Sequence, residues 1–298
     1  MQADPKPIEP SRGPVLPFIG LDVLWIQVTG TLCNIQCEHC FISAGPHNRS
    51  HEVMSLDSIR SLLSQAREYG VKEYYFTGGE PFMHPEILTL VEETLAQGPL
   101  SILTNGLLIN SSVAADLARL AAQSPYSFDL RVSVDGLNPE ENDPIRGKGT
   151  FKRIMRGAQY LAEAGLNPVF TVTTVHDQYR GGAGRQAFID ALAEMGFSPV
   201  RVKFIPPFSL GREAERGGSE EADRATVLAE DELIEGEEHL LQCGSCRTVT
   251  SRGVYPCPIL IEEQGARMGK DLDESMHAIR LNHPACVTCH VEGFSCAT

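Results

Sequence analysis

The chain has 298 residues, 42% of them hydrophobic and 21% charged, with a formal net charge of −14. That length suits one large domain with an appendage, and the charge argues against nonspecific partnership with nucleic acid or an anionic membrane. No run of about 18 apolar residues offers a membrane span. The first segment, 1–20, is rich in proline and lacks the apolar core of a signal peptide, so it reads as a flexible leader of a cytoplasmic protein. It is too short to fold as a leader-peptide-binding domain.

Strands and helices then alternate over 21–211. Residues 21–30, LDVLWIQVTG, form a short apolar strand that runs straight into the first cysteines. Residues 55–70 have helical spacing, with Ser55 placed to cap the start and Gly70 to stop the end. A strand over 71–77 ends in two glycines; a helix over 84–98, a strand and turn over 100–109 and a helix over 112–123 follow. Next come a strand at 128–136, a helix at 151–165, a strand at 167–175, a helix at 184–196 and a sixth strand at 199–207. This alternation predicts an α/β fold whose parallel sheet is joined by crossover helices. Six strands in series fit a partial (β/α)6 TIM-type barrel; an open doubly wound sheet is the other arrangement the pattern allows.

Residues 212–242 break the pattern. They carry eleven acidic side chains and read as an exposed linker followed by a short helix. The tail, 243–298, has weak periodicity and few large apolar groups, so a bound metal centre is expected to help it fold.

The nine cysteines are clustered: three lie in 33–40 and six in 243–296. In a reducing compartment, such clusters point to metal or iron–sulfur ligation rather than disulfides. Cys33, Cys37 and Cys40 have the spacing C-x3-C-x2-C. Three thiolates round a four-iron cubane leave one iron open to an outside ligand. Zinc with His39 or His47 as a fourth ligand is the alternative, but structural zinc sites usually take ligands in two separated pairs. About one strand–helix unit later comes TGGEP, residues 77–81. There Gly78 and Gly79 let backbone approach a ligand, and Glu80 offers a carboxylate at a strand C-terminus, where barrel active sites lie.

CNIQCEHC followed by GGEP resembles the radical S-adenosylmethionine (SAM) superfamily over roughly 20–211. The resemblance implies that Cys33, Cys37 and Cys40 bind a [4Fe–4S] cluster and that the amino and carboxylate groups of SAM chelate its fourth iron. It places Gly78, Gly79 and Glu80 at the SAM amino group. LTNG at 103–106 and VSVDG at 132–136 extend the likeness. They bring Thr104, Asn105, Ser133 and Asp135 to SAM or substrate, with Arg146 near the SAM carboxylate and Lys203 on the sixth strand beside the pocket. His39 stands where relatives often have an aromatic residue.

In the tail, Cys243, Cys246 and Cys257 have the spacing C-x2-C-x10-C, and Cys286, Cys289 and Cys296 the spacing C-x2-C-x6-C. From the pattern alone a zinc ribbon competes evenly with iron–sulfur. GVYPC is similar to part of the SPASM and twitch extensions, which implies one or two auxiliary [4Fe–4S] clusters, with His283 and His290 as further candidate ligands. The full SPASM pattern has seven cysteines and this tail has six. The implied activity is reductive cleavage of SAM, with an electron from an external donor such as flavodoxin or ferredoxin. The resulting 5′-deoxyadenosyl radical would take hydrogen from a substrate, a peptide or protein side chain first and a small molecule second. A molybdopterin-precursor-cyclase-like enzyme is the alternative within the family. A zinc-stabilised module or an electron-transfer protein is the alternative outside it.

Overall fold

The computed structural model describes residues 13–216, 227–229 and 241–292. Most of the leader, most of the acidic linker and Cys296 lie outside the described residues. In chain order the elements are β1 (Val15–Leu16), β2 (Val23–Gln27), α1 (Leu56–Glu68), β3 (Glu73–Thr77), α2 (Ile87–Leu95), β4 (Leu100–Thr104), α3 (Ser111–Gln123), β5 (Phe128–Ser133), α4 (Pro139–Arg146), α5 (Thr150–Glu163), β6 (Val169–Thr173), α6 (Gly181–Glu194), β7 (Arg201–Ile205) and α7 (Gly211–Glu215). The tail adds β8 (Cys246–Thr250), β9 (Gly253–Tyr255), α8 (Leu272–Ser275), β10 (Ile279–Arg280) and α9 (Pro284–Val291).

Strands β2 to β7 lie side by side in chain order, each parallel to the next. Alternate side chains of a strand face opposite ways. One set, including Leu24, Ile26, Tyr74, Phe76, Ile102, Leu130, Val132, Phe170 and Val172, packs with Ile59, Leu63, Leu90, Leu117, Ile154 and Phe188 of the helices in one core. Each such side chain contributes about 1.5–3 kcal/mol on burial. The other set, including Trp25, Thr77, Arg131, Ser133, Thr171, Lys203 and Thr248, lines a single cavity. Residues from both ends of the sheet therefore face one another across it, and the sheet is curled into a partial barrel. A doubly wound sheet would instead reverse its strand order.

Helix starts follow local chemistry. Ser55 caps α1 by accepting from the Ser58 amide, and Gly70, at φ +74°, ends it. Helix α4 departs from the expected alternation, since its sequence is polar and contains Pro144. Its signals are nevertheless present: Asn138 accepts from the Glu141 amide, Pro139 opens the first turn and two glutamates follow.

The boundary expected at 243 does not divide the sheet. Strand β8 pairs in parallel with β2, Val23 opposite Cys246 and Trp25 opposite Thr248, then turns back antiparallel into β9. Every residue of β8 and β9 is buried. CRTVT reads as polar because one of its faces looks into the polar cavity. Arg247, fully buried, organises the start of the tail. It donates to the carbonyls of Cys243 (3.0 Å), Cys246 (2.6 Å), Ser275 (2.9 Å) and His277 (2.8 Å) and lies 4.6 Å from the Phe18 ring centroid.

Candidate active site and cofactor cavity

The loop that carries the first cysteines leaves the C-terminal end of β2. It is held by backbone bonds from Cys33 N to Gly45 O (3.2 Å), Cys40 N to Cys37 O (3.3 Å) and Glu38 N to Ile145 O (2.9 Å). The glycine pair after β3 lies directly against it: Gly79 N donates to Gly30 O (2.8 Å) and Glu80 N to Leu32 O (3.0 Å). A Cβ on Gly79 would stand 2.1 Å from Leu32 O, and one on Gly78, at φ +140°, 2.2 Å from Thr29 Oγ1. Only glycine fits either place.

Cys33, Cys37 and Cys40 line one cavity that opens to solvent, together with Gly78, Gly79, Asn105, Ser133, Arg146 and His39. Burial pushes the Cys33 thiol up to about 11 and the Cys37 thiol to about 12. Both are therefore neutral thiols at physiological pH until a metal displaces the proton. Among the described residues no three His, Cys, Asp or Glu side chains close round a single-ion position.

Two of the expected ligand contacts, Glu80 and Asp135, do not line the cavity. Glu80 is fully buried, and its carboxylate accepts from Phe82 N (3.1 Å), Thr104 Oγ1 (2.7 Å) and Asn105 N (2.7 Å). It ties the loop after β3 to the loop after β4. Burial, only partly offset by those donors, raises it to about 7. Asn105, so positioned, donates from Nδ2 to Asn34 Oδ1 (2.7 Å) and lies 3.7 Å from Cys33 Sγ. Asp135 is likewise fully buried and joins four elements. One oxygen lies 2.5 Å from His39 Nε2 and 2.7 Å from Arg146 Nε; the other accepts from Thr173 N (3.0 Å). Asn142 of α4 accepts from its amide at 3.1 Å. Burial alone would raise its pKa, but the charges of Arg146 and His39 outweigh that and hold it well below the usual carboxylate range. Asp135 thus aims Arg146 and His39 at the cavity and stands behind them.

Arg212 stands at the start of α7. It straps the cysteine loop, donating from Nε to Cys37 O (2.7 Å), from Nη2 to Ala44 O (2.6 Å) and from its amide to Cys40 O (3.1 Å). An Arg212→Ala variant is expected to lose about 2 kcal/mol of stability, the scale of charge-assisted bonds to two carbonyls. It should also retain less iron than wild type when reconstituted protein is desalted. Denaturant titration and iron assay check both.

The radical SAM superfamily profile matches residues 28–179, just over half of the chain. The chain belongs to the radical SAM superfamily. Among similar superfamily proteins, mycofactocin maturase MftC of Mycobacterium ulcerans is 31% identical over 60% of this chain and 46% of its own length. GTP 3′,8-cyclase of Desulforamulus reducens is 30% identical over 64% of this chain and 57% of its own. The chain therefore spans about half the length of the curated relatives it matches. Two solved structures share the fold. SuiB of Streptococcus suis gives a TM-score of 0.59 at 18% identity, covering 88% of this chain and 67% of that one. anSMEcpe with bound AdoMet gives 0.60 at 17% identity, covering 85% and 79%. Superfamily cofactors are a [4Fe–4S] cluster and SAM, and the residues here fit them. Three thiols are a cubane's soft donor set with one iron left over, and Gly78 and Gly79 line the same cavity beside Cys33.

In the tail, Cys243 and Cys286 share an apolar cluster with Leu16, Leu228 and Leu281. Cys257 and Cys289 share another with Phe208, Ile259, Leu260 and Ala285. Helix α9 bridges the two clusters, since Cys286 and Cys289 stand one turn apart. Cys246 sits apart from both, against Val23, Trp25 and Tyr75, with its thiol donating to Pro256 O (3.2 Å). His283 lies 3.2 Å from Glu263, and its ring accepts from the Ala285 amide. Phe208 and Ile259 line the main cavity as well, so the pair Cys257–Cys289 lies just behind its wall.

Proposed function

We propose that this protein is an enzyme that cleaves SAM reductively and uses the 5′-deoxyadenosyl radical to abstract hydrogen from a peptide or protein side chain. The observation that carries the reading is one cavity, at the C-terminal ends of the strands, lined by Cys33, Cys37 and Cys40, by the Gly78–Gly79 ledge and by a polar barrel interior. The cluster, when bound, supplies the electron that splits SAM and the open iron that holds it. The chain's own residues do the positioning. Gly78 and Gly79 bring backbone to the ligand; Asn105 and Ser133 offer hydrogen bonds; Arg146, fixed by Asp135, presents a positive charge suited to the SAM carboxylate. His39 is held edge-on by Asp135 where a nucleoside base would pack.

The tail reads as a SPASM- or twitch-like extension, with Cys243, Cys246, Cys257, Cys286, Cys289 and Cys296 available to one or two auxiliary clusters. Lying behind the cavity wall, such a cluster would be placed to take up an electron from substrate. The electron for SAM comes from an external donor such as flavodoxin or ferredoxin, and the setting is cytoplasmic. Among the described residues no helix is long and apolar enough to cross a membrane, and the net charge of −14 opposes nucleic acid. The peptide assignment follows the similarity to mycofactocin maturases. The similarity to GTP 3′,8-cyclases, over 64% of this chain for one of them, favours a cofactor-precursor or small-metabolite substrate as the second reading.

Anaerobic reconstitution followed by iron, sulfide and 5′-deoxyadenosine assays tests the proposal. About eight irons per chain, or more, are expected if auxiliary clusters are present. SAM should give 5′-deoxyadenosine under dithionite, and a Cys40→Ala variant should give none. Bound zinc without sulfide, or unimpaired cleavage by Cys40→Ala, overturns the reading.

A further inference from the structure

His51 is 1% exposed and stands where the cysteine loop meets the tail. A carbonyl can only accept, so Nε2 of its ring donates to Ile261 O at 3.1 Å. Tyr255 meets the ring edge to face, with centroids 5.9 Å apart and planes at 71°. Beside it, the Ser50 hydroxyl donates to the Glu262 carboxylate. Tyr255 and Ile261 share an apolar cluster with Cys33, Ile42 and Ala44. Residues 255–262 of the tail are thus clasped to the loop that holds the first cysteines.

The backbone of His51 is bonded to the segment that leads from β2 into Cys33. Its carbonyl accepts from Thr31 N (3.1 Å), and its amide donates to Thr31 Oγ1 (3.2 Å). The approach is close: a Cβ on Gly30 would stand 2.1 Å from His51 O. The same segment supports the loop after β3, since Gly30 O accepts from Gly79 N (2.8 Å) and Leu32 O from Glu80 N (3.0 Å). His51 therefore joins the tail to residues 30–33, which end in Cys33 and carry Gly79.

Stability alone does not call for histidine here. Its Nδ1 is buried without a hydrogen-bond partner, a standing cost that an apolar side chain of similar size would avoid. What the imidazole adds is a rigid ring with a donor at one fixed point. An apolar replacement would fill the space and leave Ile261 O without that donor.

We propose that His51 is a positioning residue for SAM. Bonded to the tail through its ring and to Thr31 through its backbone, it holds residues 30–33, and with them Gly79 and Cys33, at the spacing that SAM binding requires. His51 does not itself line the cavity and acts through these neighbours. The proposal rests on reading the cavity as the SAM site.

The full chain is reconstituted anaerobically, and SAM affinity is measured by equilibrium dialysis with iron assayed in the same samples. His51→Leu removes the donor and should weaken SAM binding to the iron-loaded fraction about tenfold. His51→Gln places an amide donor where Nε2 stands and should restore affinity to within about twofold of wild type. His51→Asn is too short to reach Ile261 O and should resemble His51→Leu. Leu117→Ala, which empties part of the core on the helix side of the sheet, controls for lost stability. It should lower the urea midpoint and leave SAM affinity unchanged. If His51→Leu does not fold, the pair His51→Asn and His51→Gln carries the test. No rescue by His51→Gln, or the same loss of affinity in Leu117→Ala, overturns the assignment. Wild type that takes up iron and binds no SAM refutes the reading of the cavity, and the assignment with it. Wild-type binding that His51→Leu and His51→Asn leave unaltered refutes the assignment alone.

Discussion

Asp135→Ala is expected to destabilise the protein by about 3–5 kcal/mol, the cost of leaving a buried charge without its partner. Arg146 is only 6% exposed, and Asp135 is its one carboxylate partner among the described residues. Asp135→Asn keeps the shape but removes the charge, so it should fall between wild type and alanine. The pH dependence has a definite sign. A carboxylate held below its ordinary pKa adds stability that is present above the unfolded-state value, near 3.8, and is lost as pH falls through the lower folded-state value. Wild type should therefore lose stability in acid more steeply than Asp135→Asn, as measured by urea titration across pH. Because Arg146 lines the cavity, both variants should also bind SAM about tenfold more weakly, which equilibrium dialysis of reconstituted protein reads.

The second large effect belongs to Glu80, with the opposite sign. Its folded-state pKa is raised from 4.5 to about 7. The stability tied to its protonated form is fully present below about 4.5 and is lost as pH rises through about 7, by roughly 3 kcal/mol in total. Glu80→Gln should remove this loss, so the difference between variant and wild type should change with pH across that window. The amide also brings a penalty of its own. Whichever way it turns, its NH2 faces either Phe82 N–H or Asn105 N–H, where a carboxyl oxygen accepted. That mismatch should cost about 1–3 kcal/mol at pH 5, where wild-type Glu80 is mostly protonated. A flat difference between pH 5 and 8 would contradict the account.

What could be read from the chain and what could not divide along physical lines. The six-strand series, the caps at Ser55 and Gly70, and the pairing of C-x3-C-x2-C with GGEP all depend on neighbours in sequence, so spacing and periodicity expose them. Roles that depend on folding do not show. Glu80 and Asp135 read as ligand contacts because they sit in the right motifs. Only the fold reveals that donors from the next loop and from α4 occupy their oxygens. Arg247 gave no signal at all, since two of the carbonyls it serves, those of Ser275 and His277, lie far away in sequence. The strand CRTVT was missed for a related reason: its burial comes from β2 and β9 rather than from its own side chains.

That strand has a consequence for how the protein can be taken apart. Residues 23–26 open the segment that delivers the first cysteine, and on one side their backbone groups are satisfied by residues 246–249 of the tail. Without the tail, β2 would become the border of the sheet: a short apolar strand with unmatched amides and carbonyls, ready to pair with another molecule. The cysteine-rich tail is thus not an accessory that can be trimmed away or exchanged between relatives while the barrel is kept. Strands β2 and β8 belong to one sheet, so loss of the tail would strip four residues of pairing from the strand that leads into Cys33.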